Sequence, residues 1–336
     1  MGNHSKLKKR AAFLAFLLAL GLFLAAATSI LTPKRDAFGA NWEMFLKEVP
    51  DSIDVMLLGT SLTYCDVIPA ILYEETGLSA YALAGPTQTP ALTYYYAREM
   101  YNTQSPGLVV LELSGLLYEK YMEYSTVNVT YMPWTVNRLL AAREAAERAD
   151  WPGLLFPIYA FHTRWSSLTR SDFTGCAPDN LAGYTYLTDA ISEENLQKTV
   201  REVTLTEAEF SENLRYLALL LALFRENGSQ IVLYCAPTHT QYPVEYQTLL
   251  KSAAGKAVEA ADVTFWDFSG QGAPLGIVTE TDFYDATHLN VRGAVKFTAQ
   301  LAALLSDFAI PRKAVDTALW DGRAAYFHAL PKEAAA

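Results

Sequence analysis

The chain has 336 residues, enough for a large core in one domain or two, and 51% of them are hydrophobic. Its formal charge is −10, but residues 1–35 hold six Lys/Arg and no Asp/Glu, so the rest carries 20 basic against 36 acidic residues, or −16. That balance argues against nucleic acid as a partner. The three cysteines, Cys65, Cys176 and Cys235, form no CxxC and flank no histidine pair, which argues against zinc.

In chain order, Lys6, Lys8, Lys9 and Arg10 come first, followed by an uncharged apolar run from Ala11 to Leu31. Twenty-one residues make about 31 Å of helix, enough to cross a bilayer. The leading basic cluster predicts residues 1–10 in the cytoplasm and the remainder outside the cell, although Lys34 and Arg35 follow the run. A cleaved signal peptide is the alternative, with Ala25-Ala26-Ala27 as cleavage site. The run exceeds the roughly 7–15 residues of a signal core, which favours an uncleaved anchor over 11–31. Residues 32–50 read as a linker and lead-in helix.

Short apolar runs then alternate with helical patterns, which predicts an α/β fold around a parallel sheet. The strands expected are Ile53–Leu58, Ala80–Ala84, Leu108–Leu113, Ile231–Cys235 and Val263–Asp267. Helices are expected at Val67–Glu75, Ala91–Tyr101, Val136–Ala149, Glu207–Asn227, Tyr246–Ala260 and Val291–Phe308. The Glu207–Asn227 helix has the plainest signals, with Thr206 as cap, Phe210, Leu214, Leu217 and Leu221 on one face, and Gly228 as stop. About 115 residues separate the third strand from the fourth, so residues 115–205 read as a mostly helical insertion. Tyr118, Tyr121, Tyr124, Tyr131 and Trp134 open it, serving either as a small core or as a stacking surface for sugar rings. Residues 311–336 read as a tail. Gly270-Gln271-Gly272 precedes Ala273-Pro274, which suits a turn and not a phosphate loop.

Chemistry gathers at two strand ends. Gly59-Thr60-Ser61-Leu62 follows the first strand, and Asp285-Ala286-Thr287-His288 precedes the last helix. Ligands of open parallel sheets sit beyond the carboxyl ends of the strands. A serine there, with an aspartate and a histidine three residues apart, supplies nucleophile, base and orienting acid. A serine in such a turn also commonly caps a helix, and His-Leu-Asn before a helix also suits a turn. Neither bland role explains the Asp285/His288 pairing.

These segments resemble the SGNH/GDSL hydrolase superfamily, whose first block is a Gly-Asp-Ser-like turn and whose last is Asp-x-x-His. Tyr81-Ala82-Leu83-Ala84-Gly85 is similar to the second block, whose glycine donates to the oxyanion. The resemblance runs from about residue 50 to 307. It implies a three-layer α/β/α sandwich with a flavodoxin-like five-stranded sheet over residues 51–310. It further implies Ser61 as nucleophile, His288 as base, Asp285 as orienting acid, and the Ser61 and Gly85 N–H groups as oxyanion donors. Two departures stand out. Thr60 replaces the usual aspartate, and Leu113-Ser114-Gly115-Leu116 lacks the third-block asparagine, leaving Gln88 as the expected side-chain donor.

An anchor plus an insertion is similar to the envelope subset of this superfamily, the teichoic-acid D-alanyl transfer protein and alginate-type O-acetyltransferases. Phe161-His162-Thr163-Arg164-Trp165 and Tyr94-Tyr95-Tyr96 add to that likeness. The resemblance implies transfer or removal of an acetyl- or D-alanyl-type group on a cell-envelope polysaccharide or teichoic-acid-like acceptor, beside a membrane-bound O-acyltransferase. A catalytically weak scaffold for such a partner is the alternative. His239, in the loop after the fourth strand, and His162 are candidate substrate contacts. No cofactor or metal is expected.

Overall fold

In the computed structural model the described residues are 2–33, 42–175, 177–260, 262–270, 272 and 274–331. Cys176, much of the 32–50 linker, Gln271 and Ala273 of the predicted turn, and the last five residues lie outside them.

The five apolar runs become strands: β1 Val55–Leu58, β2 Ala80–Ala82, β3 Leu108–Glu112, β4 Gln230–Cys235 and β5 Val263–Asp267. They pair in parallel in the order β2-β1-β3-β4-β5, the flavodoxin-like order expected. β1, β2 and β3 are buried at every position, as a sheet covered by helices on both faces requires. The architecture is therefore α/β, consistent with a three-layer sandwich.

One face of the sheet presents Val55, Leu57, Leu108, Val110, Val232 and Tyr234 to Ile71, Phe297, Leu301 and Phe327. These come from helices Pro69–Thr76, Val291–Leu305 and Thr317–Ala329, which pack on one another. A second group joins Pro90–Met100 to Val136–Ala145 and Glu207–Glu226, the last also reaching β4. The Glu207–Glu226 helix starts in a capping box between Thr206 and Glu209, close to its expected bounds.

Two expectations need correcting. The predicted tail contains the Thr317–Ala329 helix, in which Trp320, Arg323 and Phe327 are buried. The helix expected from Val67 starts at Pro69, and a separate short helix, Ser61–Asp66, precedes it, beginning at Ser61 with Thr60 as its cap.

The chain divides into two compact units. Residues 35–147 and 177–336 form the sheet unit just described. The other unit joins residues 1–34 to 148–176, so the insertion is split between the two. In it, the segment Lys6–Leu31 of the Gly2–Leu31 helix is long and apolar enough to cross a membrane. Short helices Trp151–Leu155, Pro157–Phe161, His162–Ser166 and Arg170–Thr174 accompany it.

Candidate active site

The order of the sheet reverses between β1 and β3, the place where open α/β sheets bind ligands. Ser61 follows β1 at that point. The turn into it depends on Gly59, whose φ of +137° disfavours a side chain and where a Cβ would stand 2.7 Å from Glu112 Cβ. Thr60 is extended and fully buried, and its hydroxyl oxygen accepts from Leu62 N–H at 3.3 Å. As the first helical residue, Ser61 leaves its N–H without a carbonyl one turn back.

The serine meets the far end of the chain. Ser61 Oγ lies 2.7 Å from His288 Nε2, and His288 Nδ1 lies 2.8 Å from Asp285 Oδ2. Asp285 Oδ1 accepts from the N–H groups of Thr287 and His288 at 2.7 and 2.8 Å, and from Thr287 Oγ1 at 3.0 Å. Burial works against its charge. Bonds from the imidazole and both backbone N–H groups outweigh that and hold the carboxyl well below the usual carboxylate range. Neighbouring segments fix the loop. Ala286 C=O accepts from Thr240 N–H and Thr240 Oγ1 at 2.9 and 3.0 Å, and Leu289 N–H donates to Asp66 Oδ1 at 2.9 Å. Asn290 then caps the Val291–Leu305 helix, its oxygen accepting from Arg292 and Gly293 N–H.

Sequence reasoning missed three side chains that hold this arrangement. Glu112, at the end of β3, is buried and accepts from Thr60 Oγ1 (2.8 Å), Ser114 Oγ (2.6 Å) and Ser114 N–H (2.7 Å). Burial pushes its carboxyl up despite those bonds. Asp66 is fully buried, and loss of solvent drives its carboxyl well up too. Asn128, from helix Ser125–Tyr131 of the insertion, packs so tightly on Gly85 that a Cβ there would collide with its Oδ1. Its Nδ2 donates to Pro86 C=O at 2.9 Å, while Oδ1 has no partner among the described residues. An acid closing an apolar strand was the available signal for Glu112. Asn128 gave none, because its role depends on a tertiary approach.

The remaining candidates stand differently from expectation. Thr60 points inward to Glu112 and is a cap held by a carboxylate, not a substrate contact. Gln88 is buried and donates Nε2 to Thr93 Oγ1 at 3.0 Å, because that hydroxyl already donates to Thr89 C=O and has a lone pair free. Its oxygen, not its amide nitrogen, faces Gly85. His239 bonds through Nε2 to Leu196 C=O at 3.1 Å and lies beside the Phe283 ring. His162 belongs to the other unit, where its Nδ1 meets Tyr159 C=O at 2.7 Å and its ring lies near Tyr159. Cys65 and Cys235 are buried and free, their thiols pushed up by burial. No metal-holding cluster of His, Cys, Asp and Glu occurs among the described residues.

A small cleft of about 20 Å³ opens beside Leu62, the residue after the serine, and is lined also by Ser114, Cys235, Thr238, Tyr242 and Lys251 among others. Compared with known proteins, the chain matches no family model and no curated protein.

Proposed function

We propose that this chain is an extracytoplasmic serine esterase or O-acyltransferase of SGNH/GDSL type, acting on acetyl- or D-alanyl-type esters of a cell-envelope polysaccharide or teichoic-acid-like acceptor. The observation that carries the reading is the unbroken bond chain Ser61 Oγ–His288–Asp285, at 2.7 and 2.8 Å. Ser61 Oγ attacks the acyl carbonyl while His288 Nε2 takes its proton, and Asp285 keeps the other ring nitrogen protonated. Ser61 and Gly85 N–H stabilise the oxyanion. The imidazolium returns the proton to the departing alcohol, leaving an acyl-serine. An acceptor hydroxyl, deprotonated by His288, then takes the acyl group and frees Ser61. Water in its place gives hydrolysis.

The lack of a third-block asparagine favours a second reading, a catalytically weak scaffold that binds carbohydrate beside a membrane-bound O-acyltransferase. Loss of one oxyanion donor typically costs about 10²–10³ in rate, which slows a site without abolishing it. A fluorophosphonate probe separates the two readings. Under the enzyme reading it labels the wild type and not Ser61→Ala. Absence of labelling in both, with polysaccharide binding intact, would favour the scaffold.

A further inference from the structure

We infer that residues 148–175 form a second membrane contact, a foot built on the outer end of the Gly2–Leu31 helix with its aromatic side chains in the lipid interface. The inference rests on reading that helix as a retained anchor.

The helix is exposed from Lys6 to Ala26, but Ala27, Thr28 and Ile30 are partly covered and Leu31 is buried. Helices Pro157–Phe161, His162–Ser166 and Arg170–Thr174 pack against it. The last carbonyls of any helix lack intrahelical donors and carry partial negative charge. Arg164 supplies both missing elements, donating Nη1 to Leu31 C=O at 2.5 Å. Asp172 holds the other guanidinium nitrogen at 3.0 Å, and in turn accepts from Thr169 N–H and Oγ1. A leader cut at 25–27 would remove most of the helix that this network closes.

The same segment exposes large aromatic rings among polar residues. Phe156, Tyr159, Trp165 and Phe173 are 64%, 68%, 67% and 63% exposed, within 18 residues of chain. Single exposed apolar residues are ordinary, but four large aromatic rings in so short a segment mark a contact surface. Lipid is the occupant the surroundings favour. A spanning run of 21 residues fills the hydrocarbon core, so its covered end lies at headgroup level. Trp and Tyr favour that depth, with one edge dry and the other wet. Residues 148–176 carry three basic and two acidic residues, one of the acids being the Asp172 paired to Arg164. The rest of the exported chain is strongly acidic, so this segment is the part that an anionic bilayer repels least.

The test uses the full chain in phosphatidylcholine vesicles containing lipid brominated near the top of the acyl chain. Emission from Trp165 is the difference between wild type and Trp165→Phe. Bromolipid is expected to quench that component, and aqueous acrylamide to leave it largely unquenched. Phe173→Trp in the Trp165→Phe background moves the reporter and should behave alike, so the result does not hinge on one variant. The mass of the same preparation reports the N-terminus. An intact chain whose reporters respond to acrylamide and not to bromolipid overturns the foot and leaves the anchor standing. Reporters shielded from both quenchers indicate a protein contact and also overturn it. A mature N-terminus beyond Ala27 overturns the foot and the anchor together.

Discussion

Asp285 gives one oxygen to the imidazole and the other to three donors of its own loop, which hold the carboxylate in line with the ring. Changing Asp285 to Asn keeps the shape but places an NH₂ or a weaker acceptor against His288 Nδ1, favouring the wrong tautomer. Loss of a triad aspartate to its amide costs about 10⁴ in kcat. Asp285→Asn is therefore expected to lower ester turnover on that scale while leaving the folded fraction, read by circular dichroism, unchanged. Asp66 behaves in the opposite sense. Its carboxyl is driven up first by burial and further by the charges of Asp285 and Glu112, against a single bond from Leu289 N–H. A carboxyl raised on folding holds its proton better in the native state, so its contribution to stability declines as pH rises from about 4 through its raised pKa. Asp66→Asn keeps the acceptor for Leu289 N–H and removes the charge. Melting temperatures measured from about pH 4.5 to about pH 8 should show the wild type losing ground to the variant as pH rises. Parallel curves for the two proteins would sink this account of Asp66.

The Thr317–Ala329 helix shows why one element escaped the sequence reading. Its buried face runs through Trp320, Arg323, Ala324 and Phe327, a regular helical stripe with a guanidinium at its centre. A charge in that position reads as solvent-facing until Glu48 is known to approach it. Arg323 Nη2 sits 2.5 Å from Glu48 Oε1, both side chains are 1% exposed, and the guanidinium lies 4.6 Å from the Trp320 ring. Burial pushes the Glu48 carboxyl up, and Arg323 pulls against it. Removing one member of a buried pair costs about 3–5 kcal/mol, because the other charge is left uncompensated, whereas an apolar replacement of both is often neutral. Arg323→Ala should lower the urea midpoint by that equivalent, and Glu48→Leu with Arg323→Met should recover most of it. A cost below about 1 kcal/mol for Arg323→Ala would mean that the helix does not stabilise the sheet unit through this pair. The strands were legible because each is a short aliphatic run closed by turn residues. Ser61, Asp285 and His288 were legible because their spacing survives in sequence. Glu112 and Asn128 were not, since their meaning comes from contacts with Thr60 and Gly85 made across the fold.

Charge divides along the same line as the two compact units. Residues 1–34 and 148–176 hold eight basic and two acidic residues, whereas 35–147 and 177–336 hold 18 basic and 34 acidic, or −16. The triad belongs to the acidic unit. A field of that sign gathers cations and repels anions around the site, and it is felt over about 8 Å at physiological ionic strength and much farther at low salt. Of the two acyl classes proposed, a D-alanyl ester carries an ammonium and an acetyl ester carries no charge. The pair therefore reads the field directly. With p-nitrophenyl esters of matched shape, one bearing an ammonium and one neutral, kcat/KM for the cationic ester should fall as sodium chloride rises, and that for the neutral ester should stay level. Specific pocket contacts would set the ratio that remains at high salt, because screening removes the long-range part first. Identical salt profiles for both esters would show that the unit's charge does not reach the serine. The choice between acyl groups would then rest on the walls of the cleft beside Leu62 alone.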